Sequence, residues 1–281
     1  MASEVDARDT LVLVTRPAQA GERLTCELRA RGQRALWWPA FDLLAPEQKE
    51  PLLATLRHLA DFDLAIFVSV QAVRSLAALA APAAVPSQWP SQTAIAAVGP
   101  GTLALAHSLL PGARCVRSIG THAGGGTGSE ALWEVLRSAP ALPRSVLIVR
   151  AETGREWLGE RLREAGCQVE TIGVYRRIVH VPSSEQRAAL AACRSGGERA
   201  ASLVTSSEAV AALDRQFAQA PDEKAWLRSG LALCSHPRIA QALRAAGYGD
   251  VRECEASASA VIEAIAPRRD AETLSRPAEA L

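Results

Sequence analysis

The sequence predicts an α/β protein built as two similar lobes. Three observations predict this. Short apolar runs that read as buried strands alternate with amphipathic segments that read as helices, the pattern that builds parallel sheets covered on both faces. The strand–turn–helix unit recurs in order: Leu11–Arg16 matches Val146–Arg150, Ile66–Val73 matches Leu203–Val210, and Ile95–Thr102 matches Leu231–Arg238 more loosely. A chain of 281 residues suits two domains of ordinary size.

The elements follow from that reading. Strand 11–16 leads into a helix at about 19–31, stopped at Gly32, and a second strand at 34–38. Residues 40–45, between Pro39 and Pro46, form an apolar stretch fit for a further strand. A helical stretch near 51–60 precedes strand 64–69 and a helix at about 71–80. The Pro-rich segment 81–91 reads as a loop, followed by strand 94–98 and a helix at about 101–109. A turn at 112–115 enters a weak strand near Val116. The Gly-rich segment 120–129 lacks a following Gly-Lys-Ser/Thr and does not meet GxGxxG, so it reads as a loop with Thr127 or Ser129 capping helix 130–138. Strand 146–150, helix 154–165, strand 168–172 and an extended run 174–181 follow, closed by Pro182. Helix 184–194, strand 201–205, helix 207–217, strand 231–234, a helix at about 237–246 and helix 257–266 complete the set. Beyond Pro267 the chain is polar and reads as a frayed tail.

Hydrophobic residues make up 48% and charged residues 22%, the balance of a globular protein with a core. A net charge of +1 argues against a generic nucleic-acid surface. Only Lys49 and Lys224 are lysines among the 31 basic residues. The six cysteines, Cys26, Cys115, Cys167, Cys193, Cys234 and Cys254, have no CxxC spacing and read as reduced, buried thiols. The charged N-terminus lacks a signal peptide's apolar core, and no apolar run has transmembrane length. The expectation is a cytoplasmic protein with no membrane or nucleic-acid partner. HExxH, GxSxG and Walker A are absent, and His58, His107, His122, His180 and His236 are scattered, so no metal site is expected.

What recurs is a polar turn after each buried strand. Ser69, and Thr205, Ser206 and Ser207, stand directly before helices, where small hydroxyl side chains satisfy the orphan N–H groups of the helix start. That capping role suffices for any one of them. As a set, with Val70 at the same helix start, Gly99, Gly101 and Thr102 in a second turn, and His236 and Arg238 in a third, they point to anion binding at strand ends and helix N-termini. Arg16 and Arg150 follow equivalent strands and suit a carboxylate clamp, against the plainer reading of strand-end surface arginines. Tyr175 is one of two tyrosines and falls on the extended run that joins lobes in one assembly; a packing role at a junction is the alternative. Periodicity allows two assemblies. The halves can stand in tandem, or the first unit can join the last two while the middle units form an inserted lobe, with the chain crossing near 40–44 and 175–180.

Seven segments resemble the uroporphyrinogen-III synthase family: Leu13–Pro17, Phe67–Val73, Ala97–Pro100, Gly154–Leu158, Gly173–Arg177, Val204–Ala209 and His236–Ala240. The resemblance runs from about residue 11 to 266. It implies the inserted arrangement, as two flavodoxin-like, doubly wound parallel-sheet lobes joined by a two-stranded antiparallel ladder. The lobes would be 1–39 with 181–266 and 45–173, the ladder 40–44 with 174–180, and the tail 267–281. It also implies an active-site cleft between lobes, a monomer and no cofactor. The family's substrate is hydroxymethylbilane, a linear tetrapyrrole carrying acetate and propionate groups. The family closes it to uroporphyrinogen III, with loss of water and inversion of ring D through a strained spiro geometry. Tyr175 matches the family's tyrosine and would assist the departing hydroxyl, while Thr102 matches a hydroxyl position in the first Gly-Pro turn. A transient contact with the hydroxymethylbilane synthase that supplies the substrate is a further expectation. The competing reading is a non-catalytic two-lobed protein that holds an anionic small molecule in the same turns. A flavin-phosphate domain is disfavoured, because Arg16-Pro17 stands where its phosphate loop would be.

Overall fold

The computed structural model describes residues 10–80, 88–112 and 128–266. The expected strand near Val116, the residues of the Gly-rich segment before Gly128, Cys115, His122, most of the Pro-rich loop and the tail lie outside the described residues.

In chain order the elements are β1 (Thr10–Val14), α1 (Ala18–Ala30), β2 (Ala35–Trp37), β3 (Phe41–Leu44), α2 (Glu50–Arg57), β4 (Leu64–Phe67), α3 (Val70–Ala80), β5 (Ala94–Ala97) and α4 (Pro100–Leu109). They continue as α5 (Ser129–Arg137), β6 (Ser145–Ala151), α6 (Trp157–Glu164), β7 (Gln168–Val179), α7 (Ser184–Ser195), β8 (Arg199–Val204) and α8 (Ser207–Gln216). The last are α9 (Pro221–Ser229), β9 (Leu231–Cys234), α10 (Pro237–Ala245), β10 (Asp250–Glu253) and α11 (Ala258–Ile265).

The chain divides into two compact units. The first holds the described residues up to Asp42 and from Ile178 onward; the second spans Leu43–Arg177. One five-stranded sheet runs β10-β9-β8-β1-β2, the other β3-β7-β6-β4-β5. Every pair along the first sheet is parallel, as are β7–β6, β6–β4 and β4–β5 in the second.

Alternation along the central strands sorts side chains onto two faces, each covered by helices. In the first unit Leu11 and Leu13 pack with Leu190, Leu213 and Leu243 from α7, α8 and α10, while Val12 and Val14 pack with Leu24, Leu28 and Val261 from α1 and α11. In the second unit Ala65, Phe67 and Val149 meet Leu56, Leu76 and Ala106, while Ile66 and Ile148 meet Leu132, Leu158 and Leu162. Burial on both faces explains why these strands are continuous apolar runs in the sequence. Burying one such side chain stabilises by about 1.5–3 kcal/mol.

Four local expectations differ from the structure. Residues 168–179 form one twelve-residue strand rather than two segments. Helix α5 starts on Gly128 with no side-chain cap, and Ser129 is its first helical residue. Helix α9 and strand β10 were not expected. Both are charged and thinly anchored: α9 buries only Leu227, and β10 is an edge strand with no fully buried residue, so neither carries the apolar period that marks a core element. Cys26 is exposed on α1, while Cys167, Cys193 and Cys234 are buried and Cys254 is partly so; burial raises the thiol pKa of those three and of Cys254.

A buried polar knot closes the first unit. Gln216 Nε2 donates to Pro39 O and His180 O, each at 2.9 Å, and Gln216 Oε1 accepts from Trp38 Nε1 at 2.9 Å. Trp38 stacks on Phe217 at 5.1 Å. His180 Nδ1 lies 2.8 Å from Asp42, and its Nε2 lies 3.2 Å from Gln186 Oε1. A side chain on α8 thereby holds both chain segments that leave for, and return from, the second unit.

Candidate active site

In a parallel sheet all carboxyl ends lie along one edge, and the helices that follow begin there. In the first unit that edge carries the turns after β1, β8, β9 and β10. Thr15 is buried and donates through both its amide and its hydroxyl to Leu203 O, at 3.2 and 2.8 Å, pinning β1 to β8. Arg16 follows. Its carbonyl accepts from Trp37 Nε1 at 2.9 Å, and its Nη1 reaches Ala256 O at 3.5 Å beside the start of α11. A Cβ on Gly21 would stand 2.0 Å from Arg16 O, so only glycine lets α1 pack this close to the turn. Burial lowers the Arg16 pKa, a mark of a guanidinium partly removed from water.

Ser206 caps α8 by accepting from Ala209 N at 3.2 Å, with Thr205 half-buried before it and Ser207 exposed as the first helical residue. His236 caps α10: its Nδ1 accepts from Arg238 N at 3.1 Å, while the Arg238 side chain is exposed. Ser257 caps α11 through Ala260 N at 3.3 Å, a turn the sequence reading did not single out.

In the second unit the edge carries the turns after β4, β5 and β6. Ser69 Oγ accepts from Ala72 N at 3.0 Å and caps α3, whose first residue, Val70, is exposed. Gly99 precedes α4 with extended backbone and offers no side-chain cap to the first amides of α4. A Cβ at Gly99 or Gly101 would meet nothing within 4 Å, which leaves open space in front of that helix start. Thr102 is buried in the first turn of α4. Arg150 is engaged locally: its Nη1 donates to Arg155 O at 3.0 Å and its Nη2 pairs with Glu156, fastening the loop into α6.

Tyr175 enters this edge from β7 by an irregularity. Arg150 pairs with Gly173, but the next residue, Ala151, pairs with Tyr175, so Val174 is an extra residue on β7. A bulge of this kind breaks alternation and re-aims a side chain. Ile172, Val174 and Tyr175 consequently all join one core cluster. Gly173 permits it, since a Cβ there would lie 2.6 Å from Glu152 Cγ and 2.8 Å from its Cα. Glu152 N donates to Tyr175 O at 2.8 Å and holds the bulge. The phenol, 8% exposed, ends with its Oη 3.3 Å from Ser69 Oγ.

The second unit therefore gathers Tyr175, Ser69, Gly99, Gly101, Thr102 and Arg150 at one sheet edge, and the first unit gathers Arg16, Thr205, Ser206, Ser207, His236 and Arg238 at its own. Gly173, Glu152 and Ser257 are the contributors that sequence reasoning passed over; the glycine two residues before the tyrosine was the available sign. A separate shallow depression of about 510 Å³, lined by Thr55, His58, Asp61, Ser145, Gln168 and Glu170, lies where β6 and β7 begin, the opposite edge from the turns. Among the described residues no three His, Cys, Asp or Glu side chains gather in a metal-binding arrangement, and no helix is long and apolar enough to cross a membrane.

Fold and turns together define a class: a two-unit α/β protein with two five-stranded sheets, mainly parallel, and polar turns at their carboxyl ends. Comparison with known proteins makes it specific. The family model described as uroporphyrinogen-III synthase HemD matches residues 22–263, and the chain belongs to the uroporphyrinogen-III synthase family. It is 29% identical over 244 residues to the uroporphyrinogen-III synthase of Salmonella typhimurium, covering 86% of this chain and 93% of that one. The Escherichia coli enzyme of the same name is 28% identical over 246 residues, with the same coverage. In fold it is similar to a crystal structure of a mutant uroporphyrinogen III synthase from Thermus thermophilus, at TM-score 0.55 and 20% identity over 88% of this chain and 93% of that one. The Helicobacter pylori enzyme gives TM-score 0.51 at 15% identity, over 88% and 92%.

Proposed function

We propose that this protein cyclises hydroxymethylbilane to uroporphyrinogen III, with loss of water and inversion of ring D. Family membership favours this over a non-catalytic anion-binding role. The observation that carries the assignment of roles is the Tyr175 phenol, brought by a bulge to the carboxyl edge of a sheet, 3.3 Å from the hydroxyl that starts α3.

In this reading the substrate's carboxylates rest on the helix starts of both units. In the first unit these are the turns of Arg16, Thr205, Ser206, Ser207, His236 and Arg238. In the second they are the turn of Gly99, Gly101 and Thr102, with Val70 and Arg150 alongside, while Ser69 caps α3 and faces Tyr175. Backbone amides and hydroxyls give directional contacts without a strongly basic surface, in keeping with a net charge of +1. Tyr175 donates a hydrogen bond to the departing hydroxyl, which leaves as water. The pyrrole nitrogen's electron density drives the departure, so the phenol assists a step that is already feasible. The protein's larger task is to hold the chain in the geometry that inverts ring D and to keep the direct closure from competing. The finer architecture belongs to the proposal too: β3 and β7 run as an antiparallel ladder that links the lobes.

The test supplies hydroxymethylbilane made in situ, oxidises the product and resolves the isomers. Isomer III is expected as the dominant product, and isomer I alone at the spontaneous rate would end the assignment.

A further inference from the structure

Ser69 stands at the junction of two jobs. Its Oγ accepts the Ala72 amide at the start of α3 and lies 3.3 Å from Tyr175 Oη. A hydroxyl has one proton to give and two lone pairs. One lone pair is taken by the helix start, and the proton remains to be placed. Ser69 is half-buried and Tyr175 buried, so few water molecules compete for it. Nothing else near Tyr175 offers its oxygen a hydrogen bond among the described contacts.

We propose that Ser69 is the positioning residue of Tyr175 rather than a carboxylate ligand. This rests on the functional reading above. Ser69 Oγ–H donates to Tyr175 Oη, and the phenol's own proton is thereby directed away from Ser69 toward the substrate hydroxyl. The helix-start amide polarises the serine hydroxyl, and the chain Ala72 N–H to Ser69 Oγ–H to Tyr175 Oη strengthens along its length. When the phenol proton passes to the leaving hydroxyl, the C–O bond breaks and water departs. The phenolate is then held by the serine O–H. It recovers a proton from the pyrrole ring carbon that forms the closing bond, so the net loss is one water. The 3.3 Å separation is long for an O–H···O bond and leaves room to shorten as charge develops on the phenol oxygen.

The experiment is a double-mutant cycle read with the isomer assay. Ser69→Ala is expected to lower kcat about tenfold with KM within about twofold, and to have almost no further effect in a Tyr175→Phe background. Ser69→Thr should restore most of kcat, since it keeps both the cap and the hydroxyl. Ser69→Asp, which caps the helix but has no proton to donate, should not. A tenfold loss that persists in the Tyr175→Phe background, or a rise in KM at unchanged kcat, would overturn the proposal and return Ser69 to capping or carboxylate binding. The tyrosine doublet in ultraviolet resonance Raman gives a readout independent of turnover. The chain has two tyrosines, so the Tyr175 contribution is the difference from Tyr175→Phe. That contribution should change in Ser69→Ala and stay in Ser69→Thr; an unchanged doublet in Ser69→Ala overturns the contact. Isomer I alone from the wild type would instead refute the functional reading, while the Raman difference still decides the contact.

Discussion

In the first unit the helices that leave the sheet after β8, β9 and β10 all start on side-chain caps, from Ser206, His236 and Ser257. In the second unit Ser69 caps α3, but α4, α5 and α6 start on Gly99, Gly128 and Glu156 without side-chain caps. A capped start has spent part of its donor capacity on its own chain, and an uncapped one keeps it for a ligand or water. The same sheet edge thus serves two purposes. The first unit presents three capped starts and one uncapped start, α1 on Pro17, and the second presents one capped start and three uncapped ones together with the phenol. In the proposed function the second unit therefore supplies the phenol and most of the free helix-start donors, and the first supplies a rim held mainly by its own caps.

The largest effect that would break this division is at Tyr175. Tyr175→Phe is expected to lower kcat about a hundredfold, at the low end for a lost proton donor, because the pyrrole itself expels the hydroxyl. The residual product should remain isomer III, since the fold of the substrate is set by the turns. Unchanged turnover in the isomer assay would take the second unit's chemical role away.

The two tyrosines sharpen the comparison. Tyr175 and Tyr248 are about equally buried, at 8% and 6% exposure. Tyr175 faces a hydroxyl at a sheet edge, whereas Tyr248 is enclosed by its unit's core. Burial first, and the Asp214 carboxylate second, push the Tyr248 phenol up to about 12, against an opposing pull from Arg228. The sign follows from proton linkage. Below about pH 10 the phenol is protonated in both folded and unfolded chains and the contribution is fully present. As pH rises toward about 12 the unfolded chain ionises first, and about 3 kcal/mol of stability is lost. Chemical denaturation across this range should show the loss in the wild type and a smaller slope in Tyr248→Phe. Equal slopes would mean that Tyr248 is not held in a medium that resists its ionisation.

These contrasts also show what the sequence discloses. Runs such as Leu11–Val14 and Val146–Val149 are legible because burial on both faces demands unbroken apolar residues. The turn hydroxyls Ser69 and Ser206 are legible because a cap has few chemical solutions. The position of Tyr175 was not, since it depends on one extra residue, Val174, that shifts a register between distant strands. Nor was the engagement of Arg150 by Glu156, six residues on, because a loop's path is not written in a periodic pattern. Helix α9 escaped for a related reason: one buried leucine leaves no period to detect.

The smallest predicted effect tests the capping argument most directly. Gly99 has extended backbone that any residue can adopt, and a Cβ there meets nothing within 4 Å. Gly99→Ser should therefore fold without strain and place a hydroxyl over the first amides of α4. Serine at this position is worth only a few tenths of a kcal/mol more than glycine, so the denaturation midpoint should rise slightly. The same hydroxyl competes with a substrate carboxylate for those amides, and KM should rise about threefold while kcat holds, the signature of lost uniform binding. Ser206→Ala in the first unit is the counterpart, expected to cost about 1 kcal/mol of stability. If Gly99→Ser gains stability at unchanged KM, the α4 amides do not hold substrate. The open helix starts of the second unit would then differ from the capped ones of the first in structure alone.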